Sequence, residues 1–510
     1  MPVAEANLQL HPTMPADPLA TELPLLDLFD AEYLEYYGVF PLSRVGDRVY
    51  VAVTGQPCRE VIDDLAATFS ATVEVHPAEL DAVRGAIQRT YNAVQSVDAL
   101  VKSLDHVADS SEGLDGHPEA DARDLANQPP VVRYVNLLIR EAHGARASDI
   151  HMESTAHGLV VRYRIDGILS GAPSPPPNIQ AAVVSRVKLV ADLDIAERRV
   201  PQDGRIRIRL EDQDLDLRVS TVPTLHGESV VLRLLDHGGA PEDLAALGMD
   251  EDLRNRFTKA ARRPHGIILA TGPTGSGKTT TLYSALRLRD AASEKIITVE
   301  DPVEYQLPGV TQVPVNVRAG MTFAAGLRSI LRQDPDIVMV GEMRDAETAR
   351  IAVQAAMTGH LVFSTVHTND AASAVTRIVD LGIEPYMVAA TVQAVLAQRL
   401  VRRICRHCVE RTPGSSADLA LLQVVEHGHS FRRGGGCALC RQSGYHGRVG
   451  LFELLVVDGE VRDTLARTPD AERIRAAALG SGMRPLREDG RQKVLSGITT
   501  AEEVLRAVQE

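Results

Sequence analysis

The chain has 510 residues, 44% of them hydrophobic and 4% aromatic, with no tryptophan and a formal net charge of −14. That length suits several domains with aliphatic cores, and the acid excess argues against a general nucleic-acid binder, which carries a basic excess. No run approaches the roughly 20 apolar residues of a membrane-spanning helix, no basic-then-apolar signal follows Met1, and five cysteines do not make a disulfide scaffold at this length; a cytoplasmic protein is expected.

The first dozen residues read as disordered, within a small α/β module over 1–100. Helices are expected over 25–28, 33–37, 60–66 and 79–91, and strands over 49–53 and 71–75. Cys58 reads as a small, partly buried thiol rather than a reactive one. Residues 101–130 read as an acidic flexible linker ending in Pro129-Pro130. An amphipathic helix over 131–143 opens a β-rich module over 131–238. Its strands are expected over 159–165, 205–210, 215–219 and 230–235, with a hairpin turn at Asp166-Gly167. After the break at 237–241, residues 239–510 alternate strands and helices in the α/β manner.

Residues 272–279 fit the phosphate-loop pattern G-x-x-x-x-G-K-[ST] between an apolar strand and a helix start. Glycines let backbone N–H groups turn toward one anion, and the helix N-terminus adds its positive end. Gly272, Pro273, Thr274, Gly275, Ser276, Gly277, Lys278, Thr279 and Thr280 form the expected nucleotide-binding set. Lys278 would reach the β- and γ-phosphates, and the Thr279 hydroxyl would ligate Mg²⁺. Hydrolysis further needs a group to position water and a cation for the charge developing on the γ-phosphate. Glu300 and Glu342 each follow an apolar run, at strand ends where α/β sheets bind ligands. Each is otherwise a helix-capping or loop acid.

Cys405-x2-Cys408 and Cys437-x2-Cys440 can place two thiolates on each of two turns and so complete a tetrahedral Zn²⁺ site. Four thiolates leave no open position, so such a zinc is structural. The basic residues nearby, Arg399, Arg402, Arg403, Arg406, Arg411, Arg432, Arg433 and Arg441, are expected to favour thiolate. A redox pair or unliganded thiols are the other readings.

Residues 272–279, 297–305, 331–345 and 359–370 occur in the order and spacing of the Walker A, Asp box, Walker B and His box of the secretion (traffic) ATPases. The chain resembles that family, more narrowly its type II secretion members. The segments 147–153, 162–167 and 201–205 extend the resemblance from about residue 130 to the C-terminus. It implies a RecA-like P-loop motor after a PAS-like α+β module, with a small N-terminal α/β module and a tetracysteine zinc subdomain over 400–455. Glu342 matches the Walker B glutamate that organises Mg²⁺ and water, and Glu300 matches the Asp-box glutamate, a candidate general base. His367 matches the second His-box histidine, a γ-phosphate sensor, and His360 the first; as residues alone, both read equally as hydrogen-bonded interior histidines.

Arg218 and Arg233 each interrupt an apolar strand, and in isolation an exposed sheet face explains them. The resemblance makes them cations that approach the phosphates from the preceding module. Arg328, Arg332 and Arg344 match arginines around Walker B, with phosphate or a neighbouring subunit's carboxylates as alternative partners. Extension and secretion members carry the cysteine finger, followed by a segment like 444–453, while retraction members lack it.

The resemblance thus implies an ATP-, Mg²⁺- and Zn²⁺-binding homo-hexamer that powers pseudopilus assembly and protein export across the outer membrane. It would sit peripherally on the cytoplasmic side of the inner membrane. The N-terminal module would bind the cytoplasmic domain of a bitopic inner-membrane secretion protein, the motor a polytopic platform protein, and nothing in the chain a nucleic acid. Three rivals stand beside this reading: a type IV pilus extension ATPase, a DNA-translocating P-loop motor, and an assembly protein that binds nucleotide without hydrolysis.

Overall fold

The computed structural model describes residues 31–55, 59–80, 82–84, 86–87, 97, 100–101, 125–210, 213–235, 243–415, 417–418, 421 and 430–508. The chain divides into two units, Met1–Asp236 and His237–Glu510.

The first unit begins with α1 (Ala31–Tyr37), β1 (Val39–Val45), β2 (Arg48–Thr54), α2 (Arg59–Phe69) and β3 (Thr72–Ala78). β1 and β2 pair antiparallel, and β3 joins β2 in parallel after the α2 crossover. Leu34, Phe40, Val51, Val53, Leu65 and Phe69 close a small core. β1 was not expected, because its register shifts between Pro41 and Ser43 and breaks the alternation that marks a strand. The expected helix over 25–28, Cys58 and the break at 237–241 lie outside the described residues. Of the helix expected over 79–91, residues 80, 82–84 and 86–87 are described and helical.

Residues 102–124 of the expected linker also lie outside the described residues. Pro129 and Pro130 do not close that linker; they are the first turn of α3 (Pro129–Gly144). A first turn leaves its N–H groups unpaired in any case, so proline fits there without loss. Val97 and Leu100 join the core beneath α3, where the Val97 N–H donates to Glu141 at 2.7 Å.

Then follow β4 (Ala147–Thr155), β5 (Gly158–Ile165), β6 (Ile168–Gly171), α4 (Gln180–Val190), β7 (Gln202–Leu210), β8 (Gln213–Thr224) and β9 (Gly227–Leu235). They form an antiparallel sheet of order β6-β5-β4-β9-β8-β7. Asp166 and Gly167 both have positive φ, the I′ turn expected of that hairpin. One face, with Ile150, Tyr163, Ile206, Leu217, Val219 and Leu232, packs in a core with α3 and α4. On the other face Arg205, Arg218, Arg233, Asp149 and Arg164 are successive cross-strand neighbours, one straight row of four arginines and one acid. This is the expected α+β module.

The second unit contains α5 (Glu251–Ala261), β10 (Gly266–Thr271), α6 (Lys278–Leu286), β11 (Ile296–Glu300), β12 (Thr311–Pro314), α7 (Phe323–Ile330), β13 (Ile337–Val340), α8 (Ala346–Met357), β14 (Leu361–Val366), α9 (Ala371–Asp380), α10 (Pro385–Thr391) and β15 (Val392–Ile404). β16 (Val409–Pro413), β17 (Ser430–Gly434), β18 (Tyr445–Val456), α11 (Gly459–Arg467), α12 (Ala471–Gly480), α13 (Leu486–Leu495) and α14 (Ala501–Val508) complete it. Its main sheet has the order β12-β11-β13-β14-β10-β15-β18, parallel except for β18. β10 is buried throughout: Ile267 and Leu269 join the core on one face, Ile268 and Ala270 the core on the other. Helices on both faces of a parallel sheet put the loops after β10, β11, β13 and β14 at one edge, which is where a RecA-like domain builds its site. No helix among the described residues is long and apolar enough to cross a membrane.

Candidate active site

The loop after β10 is built on glycines in backbone conformations that favour glycine. Gly272, Gly275 and Gly277 have φ of +144°, +78° and +85°. A Cβ on Gly272 would lie 2.4 Å from the Gln398 carbonyl oxygen, and one on Gly277 would lie 2.8 Å from Gln398 Nε2. α6 starts at Lys278 with Gly277 as its cap and no side chain on the first amides, so those N–H groups remain for an anion. Ser276 Oγ is buried with no hydrogen-bond partner among the described residues. This cradle fits a nucleotide's phosphates. Lys278 Nζ lies 2.8 Å from Gly272 O and 3.0 Å from Pro273 O. Burial pulls its pKa down to about 8; Glu342 opposes the fall and Arg399 adds to it. Thr279 and Thr280 stand half-buried on the first turn.

β13 ends beside β14, which lies next to β10. Glu342, just past β13, is nearly buried and takes Arg344 at 2.6 Å and His367 Nε2 at 3.3 Å. Its charge reaches Lys278. The sheet therefore gathers Lys278, Glu342 and His367 at one edge. His360 stands at the other end of β14, roughly 20 Å away along the strand, with Nδ1 2.9 Å from Ala355 O and 3.2 Å from Thr358 Oγ1. It finishes the C-terminus of α8, a half-buried scaffold position apart from His367. Arg328 pairs with Glu347, and Arg332 NH2 donates to Ser329 Oγ at 3.4 Å.

Glu300 ends β11, three strand spacings, about 14 Å, from β10. It is 2% exposed. Its Oε1 accepts from Thr298 Oγ1 at 2.5 Å and Gln312 Nε2 at 3.1 Å, and its Oε2 accepts from the Tyr283 hydroxyl of α6. Arg218 and Arg233 lie on the outward face of the first unit, Arg233 Nε donating to Asp149 at 3.0 Å.

Sequence reasoning missed two residues of β15. Gln398 accepts from Thr281 at 2.7 Å, and Arg399 donates to the Asn369 carbonyl at 2.9 Å while its guanidinium lies against Gly272. They wall the phosphate loop because β15 pairs with β10, a long-range pairing with no local signal. Arg399 was expected among the basic residues of the cysteine finger, and so were Arg402 and Arg433. Arg402 instead pairs with Glu503, and Arg433 with Asp418 and Glu502.

Cys405 and Cys408 lie in the turn between β15 and β16, Cys437 and Cys440 follow β17, and β16 and β17 pair antiparallel. The four Sγ atoms lie within 4.8 Å of one another, with separations of 3.8 Å for Cys405–Cys437, 3.8 Å for Cys408–Cys440 and 3.6 Å for Cys437–Cys440. A tetrahedron of thiolates at Zn–S of about 2.3 Å has edges of about 3.8 Å, so the cluster fits zinc. Gly434 and Gly444 let the two sides approach: a Cβ on Gly434 would lie 2.0 Å from Gly444 O. Burial pushes the Cys440 thiol up, but the backbone N–H groups of Cys437 and Gly444 outweigh it and bring the group to about 6, while burial holds Cys408 at about 12.

A parallel α/β sheet with this loop and this acid cluster defines a P-loop ATPase. The family described as "Type II/IV secretion system protein" matches residues 124–506, and the "MshEN domain" matches residues 12–97. The chain is 49% identical to "Type II secretion system protein HxcR" of Pseudomonas aeruginosa, over 85% of this chain and 90% of that one. It is 46% identical to "Type II secretion system ATPase E" of Vibrio cholerae, over 76% and 78%. Among solved structures it is similar to the pilus retraction motor PilT with bound ADP (26% identity, TM-score 0.51, 73% of this chain and 96% of that one). It shares the fold of the Legionella pneumophila ATPase DotB (23%, TM-score 0.54, 73% and 94%). The chain belongs to the type II/IV secretion system protein family and is an ATP hydrolase of its type II secretion branch.

Proposed function

We propose that this ATPase works as a homo-hexamer that powers pseudopilus assembly for protein export across the outer membrane. The observation that supports it most is the meeting of Lys278, Glu342 and His367 beside the glycine cradle. In this reading the nucleotide-binding set runs from Gly272 to Thr280. Lys278 would hold the phosphates and Thr279 the Mg²⁺, which would supply charge neutralisation at the transferring phosphoryl group. Glu342 would help organise the metal and the attacking water, His367 would sense the γ-phosphate, and Glu300 would act as general base. Arg218 and Arg233, presented on the outward face of the first unit, supply guanidinium charge to the transition state.

Cys405, Cys408, Cys437 and Cys440 hold a structural Zn²⁺. The domain scheme follows the same reading: a docking module over 1–100, a linker over 101–130, an arginine-bearing module over 131–238 and the motor over 239–510. Residues 1–100 dock to the cytoplasmic domain of a bitopic inner-membrane protein, and the motor contacts a polytopic platform protein at the cytoplasmic face of that membrane. ATP turnover measured alone, with DNA, and with that cytoplasmic domain tests the proposal. Stimulation by the membrane-protein domain and not by DNA is expected. Stimulation by DNA alone overturns it in favour of a translocating motor, a reading that the net charge of −14 already disfavours.

A further inference from the structure

The Glu300 carboxylate is held from three elements at once. Thr298 belongs to its own strand, Gln312 to the neighbouring β12, and Tyr283 to α6, the helix that begins with Lys278 and Thr279. Gln312 closes the ring: its amide also donates to the Tyr283 oxygen at 3.2 Å and to Tyr305 O at 3.1 Å, and its own oxygen accepts from the Leu307 N–H at 2.7 Å. Tyr283 is fully buried and packs edge-on against Tyr305, with ring centroids 4.6 Å apart. Burial and the adjacent Glu300 carboxylate keep its phenol protonated far above its ordinary range, so it stays a donor.

We propose that Tyr283 and Gln312 are positioning residues for Glu300, fixing the orientation of its carboxylate relative to the helix that carries the phosphate-binding Lys278. The proposal rests on the reading of Glu300 as general base. A base placed by hydrogen bonds from the phosphate-loop helix keeps its geometry to the phosphates, although it stands on a strand about 14 Å away.

The test compares Tyr283→Phe, Gln312→Met and Glu300→Gln in the full chain, each checked by thermal melting. For Tyr283→Phe, kcat is expected to fall roughly 10-fold, with KM for ATP changed less than about 2-fold. Gln312→Met should behave in the same way, and carries the test if the tyrosine variant does not fold. A kcat left intact in both donor variants, while Glu300→Gln is inactive, overturns the positioning role and leaves the base in place. An active Glu300→Gln enzyme overturns the base reading itself.

Discussion

The phosphate loop and the cysteine cluster each converge polar atoms on a small volume, yet they are assembled over very different spans of chain. The four thiols come from two short turns joined by one hairpin, β16–β17, and two local glycines let those turns meet. The nucleotide site takes its loop from one segment, but Glu342, His367 and Arg399 come from separate strand ends that meet only because β13, β14, β10 and β15 lie side by side. A site closed by local turns can be lost without dissolving its neighbour. A site closed by sheet order depends on residues far from its motif.

Lys278→Ala should break the comparison hardest. ATP turnover is expected to fall by roughly 10² to 10³ or more in a phosphate-release assay, on the scale of removing a preorganised transition-state contact. Zinc measured by atomic absorption should stay at about one per chain, since the cluster owes nothing to the loop. Next comes Arg218→Ala, with turnover reduced by roughly 10² and ATP affinity changed by less than about 3-fold. Unchanged turnover in an assembled enzyme would remove the first unit from the chemistry.

Cys440→Ser should abolish stoichiometric zinc and lower the melting temperature by about 5–10 °C, equivalent to a few kcal/mol in a domain of this size. Binding of a fluorescent ATP analogue should weaken less than about 10-fold if the two sites are as independent as their construction implies.

The smallest effect concerns a single proton. With Lys278 at about 8 against an ordinary 10.5, the unfolded chain binds more protons than the folded one between those values. This group's contribution to stability therefore rises with pH across that window. Bound phosphates favour the charged ammonium and reverse the shift. Calorimetry in buffers of different ionisation enthalpy should show uptake of roughly half a proton on ATP binding at about pH 8, and none in Lys278→Ala.

Much of this was legible in the residues. The all-apolar β10 and the glycine pattern marked the loop, and paired C-x2-C spacing marked the cluster. β1 was not legible, because its register shift at Pro41 and Ser43 hides the alternation. The start of α3 was misplaced because Pro129 and Pro130 read as a break rather than as a first turn. Arg399 was assigned to the wrong site because nearness along the chain stood in for nearness in space, and β15 carries it to the phosphate loop before it reaches Cys405. The lowered pKa of the Cys440 thiol likewise comes in part from backbone N–H groups, which no side-chain pattern shows.

Wherever chemistry depends on residues within one turn of each other, spacing alone marked it: a glycine-rich phosphate cradle, and two pairs of thiols that each share one turn. The tertiary structure decided everything that depends on which strands are neighbours. It separated His367, beside Glu342, from His360 at the opposite end of the same strand. It tied Glu300 to the phosphate-loop helix through Tyr283. The physical reason is that hydrogen bonds and charges act over a few ångströms of space, and only the folded sheet brings distant segments within that range.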